Sequence, residues 1–206
     1  LNPLNTDHTA NLARAYRAWA EATPEGPLRL ERFQRAIELY DQATQLSPNN
    51  AELYNEWGLV YALLGDQERA LATYQVSLGV DAAFGQTYLL IGDIHFARQD
   101  WPQALDAYQR ALVDNKNATY AWSRLAYAYS QQGDVANAIA ANLKVLELAP
   151  NDYITLRNLA FLYAQAERPA EALAYLERAL VSAPQQDRAS LEGFRERLAA
   201  QAPAGG

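Results

Sequence analysis

The chain has 206 residues, 50% of them hydrophobic and 20% charged, with a formal net charge of -7. This is the composition expected of a soluble folded protein, and its acidic balance excludes an electrostatic grip on a phosphate backbone, so nucleic acid is not an expected partner. With no cysteine there are no disulfides, thiolate nucleophiles or Cys-rich zinc sites, and because Arg, Asp, Glu or Gln interrupts every apolar stretch, no segment is expected to insert into a membrane.

In chain order, a leader over 1–5 precedes two helices, Asp7 to Ala20 and Leu28 to Leu46. Between them lie Pro24, Gly26 and Pro27, which cannot continue a helix. This first unit, 6–50, carries an insertion at 21–28. Four regular units follow, at 51–84, 85–118, 119–152 and 153–186, set by Ala36, Ala70, Ala104, Ala138 and Ala172, which stand 34 residues apart. A period of that length fits two antiparallel helices and two short turns, a hairpin that buries its apolar face only by stacking on copies of itself. Gly65-Asp66 and Gly133-Asp134 each join a C-cap that tolerates positive φ to an N-cap carboxylate. Asp100-Trp101-Pro102 and Arg168-Pro169 make the same turn with proline in the first helical positions, and Pro48, Pro150 and Pro184 end second helices. A last helix over 187–200 sets Leu191, Phe194 and Leu198 on one side and Arg195, Glu196 and Arg197 on the other, as a cap to the array. The tail, 201–206, reads as frayed and disordered.

Close helix crossings require small residues, so Gly58, Gly92, Ala126 and Ala160 are expected to face the alanines of the partner helix. Asn142 stands where other units place Tyr or Leu, and either meets water or hydrogen-bonds inside the stack. His95 occupies an aromatic core position, with Asp93 on a different face of its helix, so the pair makes no acid–base dyad. His8 and His95 are too isolated for a metal site. Phosphate loops, nucleophile elbows and metalloprotease helices are absent. No catalytic residue, cofactor or metal is expected, and this segment does not read as an enzyme.

The repeated pattern resembles the tetratricopeptide repeat family. It is carried by Trp57-Gly58, Tyr61, Ala70 and Tyr74, then by Ile91-Gly92, His95, Ala104 and Tyr108. Leu125-Ala126, Tyr129, Ala138 and Pro150 continue it, followed by Leu159-Ala160, Tyr163, Ala172 and Pro184, while Leu12-Ala13, Tyr16, Ala36, Tyr40 and Pro48 begin it. The resemblance implies an all-α fold, an α-α superhelix (solenoid) of about five helix hairpins plus a C-terminal capping helix. It also implies a concave surface lined by first helices. Its inward positions are Asn55, Leu59 and Leu63; Gln86, Leu89, Asp93 and Phe96; Tyr120, Ser123, Tyr127 and Gln131; and Ile154, Arg157, Phe161 and Gln165. Such a groove anchors a peptide or protein segment by its aromatics and orients it by its polar side chains. The alternative is that several of these side chains only fill space between adjacent first helices. Members that clamp a C-terminal carboxylate use basic and polar residues where this chain has Leu59, Leu90 and Tyr120, with Arg124 a partial match, so that mode is not expected.

A weaker resemblance covers Asn2 to Arg14, which is similar to the start of the soluble C-terminal repeat region of bacterial multi-span membrane proteins of the O-antigen ligase and polymerase type. It implies an accessory domain that holds a partner or a glycan near the membrane, since aromatic groove residues also stack on sugar rings. The start at Leu1 and the lack of methionine fit a segment of a longer or processed bacterial protein. Self-association through open array ends is a further possibility.

Overall fold

In the computed structural model the described residues, 6–112 and 118–201, form eleven α-helices and no strand. The chain divides into two compact units, Leu1–Lys116 and Asn117–Gly206. The first contains α1 (Thr6–Glu21), α2 (Pro27–Leu46), α3 (Ala51–Leu63), α4 (Gln67–Val80), α5 (Gly85–Ala97) and α6 (Trp101–Ala111). The second contains α7 (Ala118–Gln131), α8 (Val135–Leu148), α9 (Tyr153–Gln165), α10 (Pro169–Ser182) and α11 (Gln185–Gln201). Successive helices pair as hairpins, α1 with α2 through α9 with α10, and α11 packs on α10. The leader at 1–5 and the tail at 202–206 lie outside the described residues; Gln201, expected in the tail, is the last residue of α11.

The turns form for the reasons their residues suggest. Gly65 and Gly133 adopt φ of 80° and 75°, and the following Asp66 and Asp134 accept hydrogen bonds from the backbone N–H of Arg69 and Asn137 at 3.0 and 3.1 Å. One repeat later the same left-handed position is held by Gln99 (φ 59°) and Glu167 (φ 57°), so two turns keep the geometry without glycine. Proline takes the first helical positions of α2, α6 and α10.

The insertion in the first unit is not a long turn. α1 and α2 run 16 and 20 residues against 13 and 14 for α3 and α4, so most of the inserted residues lengthen the helices and only 22–26 turn the chain. Pro27 starts α2 instead of breaking it, because its missing N–H falls where a helix has no use for one.

All five phase-setting alanines are fully buried. Gly58 and Gly92, expected to face those alanines, have a tyrosine ring as their nearest neighbour. A Cβ on Gly92 would come within 2.6 Å of the Tyr108 ring, and one on Gly58 would meet the Tyr74 ring in the same way. The glycines therefore make room for a tyrosine one turn beyond the alanine. In the first unit, one apolar cluster gathers Phe33, Ala36, Leu39, Tyr40 and Val60, and another gathers Tyr61, Ala70, Tyr74, Ile91 and Ile94; Ile37 and Trp57 pack against both. In the second, Leu156, Leu159, Ala160, Leu176 and Ala179 join Leu191 and Leu198 of α11. The last two are 3% and 2% exposed, which makes α11 the lid of that core.

Candidate interaction surface

Within the first unit the expected groove positions divide into buried and half-exposed sets. Asn55 and Leu89 are buried and do not line an open surface. Asn55 belongs to a polar cluster joining three helices. Ser77 Oγ lies 2.9 Å from the Ala51 carbonyl and 3.0 Å from Thr87 Oγ1, and Thr87 Oγ1 lies 3.0 Å from Asn55 Oδ1. Two hydroxyl protons thus serve three contacts, and Asn55 Nδ2 is buried with no partner among the described residues. Asp93, half-buried, accepts the Tyr108 hydroxyl at 2.7 Å, and Phe96 packs edge-on against Trp101 and Tyr108 with ring centroids 5.5 and 6.3 Å apart. Both are committed to their own repeat. Leu59 and Gln86 are half-buried; Leu63, on the exposed side, faces Gly26, Leu30 and Phe33 across a small cleft.

His95 is not a core residue. It stands half-buried on the wall of a cleft of about 780 Å³ between α4, α5 and α6, with Nδ1 3.2 Å from Asp100 Oδ2. Arg110, paired with Asp106 at 2.9 Å, lies over the Tyr88 ring on the same cleft. Among the described residues no three His, Cys, Asp or Glu side chains gather as a metal site.

The second unit keeps more of its expected positions open. Tyr120, Tyr127, Ile154 and Phe161 are 39%, 50%, 57% and 48% exposed. Gln131 and Gln165 are exposed, as is Ser123, whose hydroxyl donates to the Thr119 carbonyl at 2.9 Å. Arg124 lies over the Tyr120 ring at 4.9 Å. Arg157 and Phe161 also contact the cap. Arg157 pairs with Asp187 of α11 at 3.9 Å, and Phe161 stacks on Phe194 with centroids 4.6 Å apart and planes 13° from parallel. The Tyr153 hydroxyl, which α9 also aims at Asp187, donates to it at 2.7 Å. Arg157 and Phe161 are thus both expected groove positions and contacts of α11, and Phe161 stays 48% exposed. Asn142 is buried and its Nδ2 returns to the Ala138 carbonyl at 2.8 Å, which answers the choice left open by the sequence. Sequence reasoning missed Ser130 and Asn158, which share a small cleft with Asn142. The only signal for them was the departure at Asn142 itself.

Electrostatics follow burial. The Tyr40 hydroxyl is pushed up to about 12, first by burial and then by the nearby Glu56 carboxylate, with Arg17 and Arg14 opposing. Burial, with Asp93 adding to it, raises Tyr74 further. Arg14 donates to Glu56 at 2.7 Å and so ties α1 to α3. All these groups lie in packing interfaces.

A stack of two-helix units, each with a small residue at the crossing and a buried alanine at a fixed interval, defines the class of helical-repeat scaffolds. The chain belongs to the tetratricopeptide repeat family. Models of that repeat match residues 29–65, 89–153 and 154–183, each described as a TPR or tetratricopeptide repeat. Among curated proteins, BBSome complex member BBS4 of Bos taurus is 26% identical over 148 residues, covering 72% of this chain and 28% of its own length. The chain spans 28–33% of the length of the first curated relatives it matches. Among solved structures, MamA is 22% identical with a TM-score of 0.70, over 90% of this chain and 94% of that one. YrrB, described as a TPR protein with an unusual peptide-binding site, is 22% identical with a TM-score of 0.69, over 95% and 94%. At these identities the solved structures establish the fold.

Proposed function

We propose that this chain is a non-catalytic protein–protein interaction scaffold that takes a peptide or protein segment on the open faces of its first helices. The observation that carries the reading is the exposed, uncharged set of Tyr120, Tyr127, Ile154 and Phe161 on α7 and α9, between 39% and 57% exposed. Large apolar and aromatic side chains on adjacent helices supply the kind of anchor that dominates interface energies, and the polar Ser123, Gln131 and Gln165 beside them supply orientation. The descriptions of the relatives point the same way: one is a member of a multiprotein complex and another structure carries a peptide-binding site. Leu59, Leu90 and Tyr120 stand where a carboxylate clamp needs polar or basic groups, so the segment bound is internal or uncharged at its end.

Capture of partners from the source extract by the intact chain, compared with a Tyr120→Ala, Tyr127→Ala variant, tests the reading. These two rings leave the Phe161–Phe194 stack intact, so the variant is expected to keep its fold and lose at least 10-fold in affinity for whatever the parent retains. Equal retention by both proteins would mean that the rings are packing residues only.

A further inference from the structure

One pair of positions sets the 119–152 repeat apart. Tyr74 and Tyr108 fill the space between the two helices of their repeats against Gly58 and Gly92, and Leu176 holds the same position opposite Ala160. In α8 that position is Asn142, opposite Ala126. Asn142 is 4% exposed, and its only hydrogen bond among the described residues runs from Nδ2 back to its own helix, so Oδ1 receives no protein donor. Asn142 and Ala126 both line a cleft of about 210 Å³ bounded by α7, α8 and α9. Its walls carry two half-exposed rings, Tyr127 and Phe161, and the carboxamides of Gln131, Asn142, Asn158 and Gln165, with no charged side chain among the described residues.

We propose that this cleft binds a single tyrosine side chain supplied by a protein partner, seated in the slot that Tyr74 and Tyr108 fill from within their own repeats. The inference rests on the scaffold reading above and names the residue that the surface would recognise. The size is right for one ring and below the roughly 300–1,000 Å³ of sites that enclose a larger ligand. A charged side chain entering here would lose its hydration and find no counter-charge. A phenylalanine would leave the Asn142 carbonyl oxygen buried without a donor, whereas a phenol carries one. Of the resident tyrosines, Tyr108 shows that a phenol in this slot donates to a side-chain oxygen, Asp93 Oδ1, at 2.7 Å. Tyr127 and Phe161 add offset ring contacts, and the remaining carboxamides suit the peptide groups on either side of the ligand.

The test is a titration of the intact, 15N-labelled chain with N-acetyl-tyrosinamide, following the side-chain amide resonances of Gln131, Asn142, Asn158 and Gln165. N-acetyl-phenylalaninamide and methyl glucoside are the comparison probes. Saturable shifts are expected with the tyrosine probe, at least 5-fold weaker with phenylalanine by about the loss of one hydrogen bond, and absent with the glycoside. Asn142→Leu copies the Leu176–Ala160 pairing, and Ala126→Gly, Asn142→Tyr copies Tyr108–Gly92; each fills the slot, and each is expected to abolish the shifts of the remaining amides while keeping a folded spectrum. No saturable shift with the tyrosine probe, shifts that survive in both filled variants, or saturation by the glycoside alone would overturn the proposal. Partner capture by the parent chain without any response to the tyrosine probe sinks the slot and leaves the scaffold reading standing. A response to the probe with no protein partner captured sinks the scaffold reading instead.

Discussion

The ring of Tyr74 lies so close to Gly58 that a Cβ on the glycine would stand 2.7 Å from Tyr74 Cδ1, nearer than such atoms ever approach. Gly92 and Tyr108 repeat the relationship 34 residues later. The crossing distance of the two helices in these repeats is therefore set by a glycine and a fully buried phenol together, and a change at one is felt at the other.

Gly92→Ala is expected to lower stability by up to about 2 kcal/mol, since overpacking costs roughly 1–3 kcal/mol and the better helix propensity of alanine returns about 1 kcal/mol. Adding Tyr108→Leu recreates the Ala160 and Leu176 combination of the last repeat and should recover part of the loss. A double-mutant cycle from urea melts checks this; simple additivity of the two changes would disprove the pairing.

The stacked hairpins were legible in the sequence because the alanine phase, the Gly-Asp turns and the prolines are local signals, each acting through its own backbone. The open surface was not, because exposure on a first helix depends on what the next helix brings. The family resemblance implies one face for Asn55, Arg157 and Phe161, but Thr87 closes over Asn55, Asp187 meets Arg157 and Phe194 covers part of Phe161. The sequence reading places the inserted residues at 21–28, but most of them lengthen α1 and α2, because Pro27 sits at the first position of a long helix.

Thr87→Val removes one of the two protons in the Ser77, Thr87 and Asn55 cluster and leaves Asn55 Oδ1 buried without a donor. The cost of such an orphan is about 1–3 kcal/mol. Denaturant melts should show that loss, with no change in partner capture. A variant as stable as the parent would mean that the cluster is dispensable.

Gln99 and Glu167 hold left-handed backbone without being glycine, whereas Gly65 and Gly133 occupy the matching turns. The strain of roughly 1–2 kcal/mol on an L-residue there exceeds the unfolded-state cost of a glycine, roughly 0.5–1 kcal/mol. Gln99→Gly should therefore stabilise the chain by about 0.5 kcal/mol, and Gly65→Ala should destabilise it. Equal midpoints for Gln99→Gly and the parent would show that the glutamine is unstrained.

The raised hydroxyl of Tyr40 makes stability fall in alkali. In the unfolded chain the phenol loses its proton near its ordinary value of about 10, while in the folded chain it keeps it up to about 12. Its contribution is thus fully present below pH 10 and is lost as pH rises through 12, at up to about 1.4 kcal/mol per pH unit. Tyr74, raised by the same cause, adds to the slope. Melts of Tyr40→Phe between pH 9 and pH 11.5 should show a shallower decline than the parent, and parallel curves would mean that Tyr40 ionises as freely in the fold as outside it.

Removing α11 is the most disruptive change that leaves every hairpin in place. Leu191 and Leu198 are 3% and 2% exposed in the core that also holds Leu176, Ala179 and Ala183, and burial of each leucine is worth about 1.5–3 kcal/mol. A chain ending at Pro184 should lose on the order of 3–6 kcal/mol on that account, which for a protein of this size lowers Tm by roughly 6–24 °C. Its exposed core should also bind a hydrophobic dye and favour aggregation. The loss should be far larger than that from Phe194→Ala, which removes the stack on Phe161 but leaves both leucines seated. If the truncated chain melts with the parent, α11 is an appendage and the last hairpin closes its own core.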